Sequence, residues 1–158
     1  AGIGMKLLVF DPHINTDELD IPAGWDIRFG ASLQDVVGEA DAVTLHVPLT
    51  DETKQMIDAE TLAEFKRGSL LVNVSRGGVV DQEALYDALQ SGQLAGAALD
   101  VLVPEPPNWD EPLLKLPNVI VTPHMAWRSE NSGRQMQSDA ASEVRRVLVG
   151  EPPRWRLV

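Results

Sequence analysis

Apolar positions in this chain come in short blocks, separated by polar or glycine-rich turns and by segments with helical spacing. The clearest unit spans residues 69–100. Its first part, SLLVNV, is dense in Leu and Val and predicts a strand buried on both faces. Ser75-Arg76-Gly77-Gly78 breaks the run and leaves a lone cation at the strand's end. Asp81 opens a predicted helix through Leu85, Ala88 and Leu89, with Gly92 as its stop. Residues 96–99 predict a second, smaller strand, which Asp100 ends.

The alternation continues in both directions. Residues 5–10 predict a buried strand that runs into Asp11-Pro12, and 26–29 a short one, with a polar loop between. Ser32 is placed to cap a small helix over 32–40 by offering its side-chain oxygen to free N–H groups. Residues 41–45 predict a further strand, followed by His46-Val47-Pro48-Leu49-Thr50. A helix start is expected at 50–54. Another helical run is expected from Asp58 or Glu60, with Leu62 and Phe65 facing inward and Lys66-Arg67-Gly68 placing cations at its negative end. After Asp100, five prolines (104, 106, 107, 112 and 117) are expected to forbid regular structure and hold the chain extended or turned. A strand at 119–121 and a long helix from Ser129 to about Gly150 follow, the latter with Met136, Ala140, Val144 and Val147 near helical spacing and Pro152-Pro153 as its stop. This gives one domain over 1–150 and a tail over 151–158. Residues 1–4, AGIG, precede a strand where a dinucleotide loop follows one, so they read as the tail of a helix stopped at Gly4.

Composition narrows the class of partner. The chain has 158 residues, 44% of them apolar, which suits a globular domain with a fair-sized core. A net charge of −11 argues against nucleic acid or an anionic membrane as the main partner. There is no cysteine, so neither disulfides nor thiol chemistry is in play, which suits the cytoplasm. No run approaches the roughly 20 apolar residues of a membrane span. The three histidines lie far apart without a metal-ligand pattern.

Repeated strand–helix alternation implies an α/β, doubly wound parallel sheet with right-handed crossovers and one shared carboxyl edge, where ligands bind. Four strand ends carry Asp11, Arg76, Asp100 and His124, and Glu105 lies just beyond Asp100. An acid ending the second strand of a dinucleotide fold bonds the adenosine ribose and repels a 2′-phosphate, so Asp11 points to NAD, unless it is only an Asp-Pro turn residue. Arg76 offers a planar fork matched to a carboxylate. His124 is suited to proton transfer near neutrality, and a buried Glu105 on its far nitrogen would orient the ring. Each has a plainer alternative: an ion pair for Arg76, a solvated loop acid for Glu105, a structural histidine for His124. Val47-Pro48 is placed to line a cofactor face, whereas His46 reads as a packed structural histidine.

These pieces resemble the D-isomer-specific 2-hydroxyacid dehydrogenases. The matching segments are FDP at 10–12, HVPLTDET at 46–53, LVNVSRGGVVDQEAL at 71–85, GQLAGAALDV at 92–101, EPP at 105–107 and TPHMAW at 122–127. The resemblance implies a Rossmann-type sheet and NAD-dependent hydride transfer between a D-2-hydroxy acid and its 2-keto acid. It implies that Arg76 binds the substrate carboxylate and carbonyl, that His124 is the acid/base and that Glu105 is its partner. Asp11 would hold the adenosine ribose and Asp100 the nicotinamide carboxamide, while Val47, Pro48, Val74, Ser75 and Ala126 would line the cofactor. Trp127 would wall the substrate pocket, or serve only in packing. A homodimer through the nucleotide-binding domain is implied as well.

The chain departs from the family pattern in having no first strand, GxGxxG loop and helix, and no substrate domain. The expectation is therefore an incomplete sheet with a gap between the strands at 5–10 and 41–45. The chain would be a fragment of one about twice as long, inactive alone, with its tail returning toward the absent domain. Supply of the missing strand by a partner is the alternative. The AWRSE run at 126–130 also resembles the C-terminal binding protein corepressors, family members that sense NAD(H) and assemble with transcription factors.

Overall fold

The computed structural model describes residues 4–154. The expected helix tail at 1–4 and the expected returning tail therefore lie largely outside the described residues. The chain divides into two units, one ending at Pro123 and one beginning at His124.

Among its described residues the first unit holds six strands, all parallel to their neighbours. β1 (Leu7–Val9) pairs with β2 (Ile27–Phe29), and β3 (Ala42–Leu45), β4 (Ser69–Asn73), β5 (Leu94–Leu99) and β6 (Val119–Val121) form a second sheet in that order. Among the described residues β1 and β3 do not pair, so the sheet breaks where the missing strand was expected. Gly96 lets β5 and β6 approach, because a Cβ there would lie 2.9 Å from the Asn118 carbonyl oxygen.

Local sequence accounts for the helices. Ser32 caps α1 (Leu33–Glu39), its Oγ accepting from Asp35 N–H while the Asp35 carboxylate accepts from Ser32 N–H. Asp58 caps α2 (Ala59–Glu64) through Thr61 N–H at 2.8 Å, and Asp81 caps α3 (Gln82–Gln90) through Glu83 and Ala84. Gly92, at φ 69°, follows α3 as its stop. Val37, Leu62, Leu85 and Leu89 from the helices, with Phe65 just past α2, pack with Val43, Leu45, Leu71, Ala97 and Leu99 from the strands in one core. The other face of the sheet is open, with Leu70 46% and Ile120 67% exposed.

Several expectations need correction. Residues 50–54 make one turn, with Lys54 N–H bonded to Thr50 O, and no helix. Long-range pairing ends it: Gln55 N–H reaches Gly78 O, and Ile57 bridges Val80 in parallel. Lys66 and Arg67 do not sit on the last carbonyls of α2. Lys66 pairs with Asp41, Arg67 reaches Ser91 O, and Gln93 Nε2 instead serves the carbonyls of Leu62, Ala63 and Phe65. The β5 strand starts at Leu94, two residues earlier than expected, and β1 is shorter than expected. The proline-rich stretch contains a 3₁₀ turn at Pro112–Lys115, since proline suits a first helical turn and the Glu111 side chain accepts from Leu113 N–H.

In the second unit, α4 (Ser132–Leu148) begins three residues after Ser129. Ser129 and Ser132 instead exchange hydroxyl-to-backbone bonds ahead of it. Past its end, Arg146 holds the Pro152 carbonyl and pairs with Glu151.

Candidate active site

The carboxyl end of β4 is shaped by one buried amide. Asn73, 1% exposed, accepts at Oδ1 from both Ser75 N–H (3.0 Å) and Ser75 Oγ–H (2.9 Å), and donates from Nδ2 to Arg76 O (2.9 Å). The turn is thereby fixed and Arg76 is turned outward, its Nη1 resting on Ser75 O at 2.7 Å. Val47, Pro48, Val74, Ser75 and Arg76 line a single shallow groove of about 520 Å³ between the ends of β3 and β4. His46 and Leu49 line it too. His46 is exposed, with Nε2 3.0 Å from Thr44 Oγ1, so the expectation of a packed structural histidine is wrong. Its ring ends the β3 strand on the same side as the groove residues instead of turning into the core.

Asp100 is buried at the end of β5. Its carboxylate accepts from the Thr122 hydroxyl, and its N–H donates to Asn73 O at 2.9 Å. The ends of β4, β5 and β6 are thus tied together. Glu105 stands on the following loop, exposed, with Oε1 accepting from Leu102 N–H at 3.2 Å. That loop abuts the Arg76 turn closely, because a Cβ on Gly77 would lie 2.3 Å from Leu102 O. Asp11 is exposed at the end of β1, where Oδ1 accepts from His13 N–H at 2.9 Å and makes the Asp-Pro turn that its sequence suggests. It is outside the set of residues that line the groove.

His124, Ala126 and Trp127 belong to the second unit. His124 adopts φ 49°, uncommon for a residue with a side chain. Its carbonyl accepts from the Trp127 indole at 3.0 Å, and Trp127 keeps half of its surface open. Asn73, Thr122 and Gln82 went unnoticed in the sequence. A polar residue inside an apolar strand run was the available signal for Asn73; Thr122 and Gln82 carry no local signal.

The groove combines apolar walls from Val47, Pro48 and Val74 with a cation at one end. That donor set fits a flat, partly apolar ring set beside an anionic group. Among the described residues no helix is long and apolar enough to cross a membrane.

A family model described as D-isomer specific 2-hydroxyacid dehydrogenase, NAD binding domain, matches residues 1–126. A D-3-phosphoglycerate dehydrogenase of Synechocystis sp. is 41% identical over 155 residues, covering 96% of this chain and 26% of that protein. A D-isomer specific 2-hydroxyacid dehydrogenase from Lactobacillus delbrueckii ssp. bulgaricus, solved in its NAD-complexed form, superposes with a TM-score of 0.84 at 33% identity, over 97% of this chain and 49% of that one. A D-isomer specific 2-hydroxyacid dehydrogenase from Xanthobacter autotrophicus Py2, solved with NADPH and MES, gives 0.83 at 33%, over 98% and 62%. The chain spans less than half the length of the curated relatives it matches.

Proposed function

Because the chain belongs to the D-isomer specific 2-hydroxyacid dehydrogenase family, through the NAD-binding domain, we propose that it serves NAD-dependent interconversion of a 2-keto acid and a D-2-hydroxy acid. The observation that carries this reading is the groove at the ends of β3 and β4, where apolar walls meet the Arg76 guanidinium. NAD(H), when bound, would supply hydride chemistry at the substrate's carbon. Val47, Pro48 and Val74 offer the ring an apolar wall, and Asp100 offers a buried acceptor for its carboxamide. Arg76 takes the substrate carboxylate by its planar fork and polarises the carbonyl. His124 gives a proton to the carbonyl oxygen in reduction and takes it from the hydroxyl in oxidation. Glu105 is the partner that orients the imidazole. Trp127 walls the substrate. Asp11 selects NAD by bonding the ribose diol. A homodimer and a cytoplasmic location accompany the reading.

The test is an assay of the intact protein with NADH and a panel of 2-keto acids, alongside His124→Ala. Turnover should fall by about 10²–10⁴ in the variant while NAD affinity stays near its original value. Unchanged turnover rules out His124 as the acid/base. No turnover of any keto acid by the unmutated protein turns the assignment toward a binding role.

A further inference from the structure

The loop that carries Glu105 is gripped by a residue with no role in the reading above. Gln82, the first residue of α3, accepts from Val103 N–H at Oε1 (2.6 Å) and donates from Nε2 to Val103 O (3.0 Å). Both polar groups of one backbone residue are thus engaged by one side-chain amide. The loop's backbone has few N–H groups to offer. Of residues 103–107, three are prolines and bring no N–H, and Gln82 takes one of the two N–H groups that remain. The clamp's own base is firm, because Asp81 caps the first turn of α3 through Glu83 and Ala84 N–H.

Val103 sits between the two residues that matter for Glu105. On one side Leu102 donates its N–H to Glu105 Oε1 at 3.2 Å, so the carboxylate folds back over the clamped segment. The Leu102 carbonyl also abuts Gly77, next to Arg76. A shift at Val103 therefore moves the donor that orients Glu105 and the wall against which the Arg76 turn rests. Gln82 itself lines no part of the groove.

We infer that Gln82 is a positioning residue for Glu105, fixing the carboxylate by clamping the Val103 backbone. The inference rests on the reading of Glu105 as the partner of the acid/base. Displacing a reacting group by about 1 Å costs on the order of 10²-fold. Removing the clamp should cost turnover on that scale and leave the cofactor's dissociation constant unchanged.

The experiment is a double-mutant cycle in the intact protein with Gln82→Ala, Glu105→Gln and both together, reading kcat, KM for the keto acid and NADH affinity by fluorescence. Gln82→Glu runs in parallel. It keeps an acceptor for Val103 N–H and adds an anion in the first turn of α3, where the helix dipole favours one, but lacks the N–H that reaches Val103 O. It completes the cycle if the alanine variant does not fold. The expected result is a kcat loss of about tenfold to a hundredfold in Gln82→Ala that disappears in the Glu105→Gln background, because nothing is left to position. A loss that persists at full size beside Glu105→Gln, or wild-type kcat in both Gln82 variants, overturns the positioning role alone. Wild-type turnover in Glu105→Gln overturns the reading of Glu105 and the positioning role with it.

Discussion

Gly77 and Leu102 meet without room for a side chain: a Cβ on Gly77 would lie 2.3 Å from the Leu102 carbonyl oxygen and 2.4 Å from its carbon. The obstacle is backbone, so no rotamer change relieves it. This contact joins the turn that carries Arg76 to the loop that carries Glu105. Gly77→Ala should push the two apart, lowering stability by about 1–3 kcal/mol as overpacking does. In the intact protein it should also lower kcat/KM. Urea denaturation and steady-state kinetics check both, and an alanine variant as stable as the original contradicts the close approach.

Asn73 is the second structural pivot. Asn73→Ala removes the donor for Arg76 O and the acceptor for Ser75, whose buried N–H and hydroxyl cost about 1–3 kcal/mol each when unsatisfied. The Arg76 turn then loosens, so KM for the keto acid should rise more than the dissociation constant for NADH. Equal changes in the two would place the effect on the domain as a whole.

Asp11 provides a test of cofactor choice. With the exposed carboxylate at the end of β1 in place, kinetic efficiency with NAD should exceed that with NADP, because a 2′-phosphate meets a negative charge. Asp11→Ser should shrink the ratio, chiefly by weakening NAD and admitting NADP. Comparable efficiency with both cofactors in the unmutated protein contradicts the role.

Acid should act on the α2 cap. The Thr61 N–H bond holds the Asp58 carboxyl below its ordinary value. A depressed native pKa means that the unfolded state binds more protons, so stability from this group is fully present above the unfolded carboxylate range and lost as pH falls through the native value. The window lies below about pH 4. Asp58→Ala should lower stability at neutral pH and flatten its fall in that window, as denaturation midpoints from pH 2.5 to 6 would show. An unchanged slope removes Asp58 from the acid response.

The features legible from residue order are local. The runs SLLVNV and VIV, the caps Ser32 and Asp81, and the stop at Gly92 were readable because each acts within a few residues of itself; the start of α2 was left between Asp58 and Glu60, and Asp58 caps it. The strand-end positions of Arg76 and Asp100 followed from that pattern, whereas the break between β1 and β3 was expected from the family resemblance. Tertiary structure alone decided what depends on distant partners. Residues 50–54 stop after one turn because Gly78 and Val80 draw Gln55 and Ile57 into a pairing across more than twenty residues. Lys66 turns to Asp41 because the start of β3 pairs with the start of β4, just beyond Lys66, and brings that acid within reach. Gly77 reads as a strand breaker in sequence, but it is required by the Leu102 backbone lying against it. Nothing in the residues around Gln82 marks it, since its partner is brought within reach only when the loop after β5 folds over the start of α3.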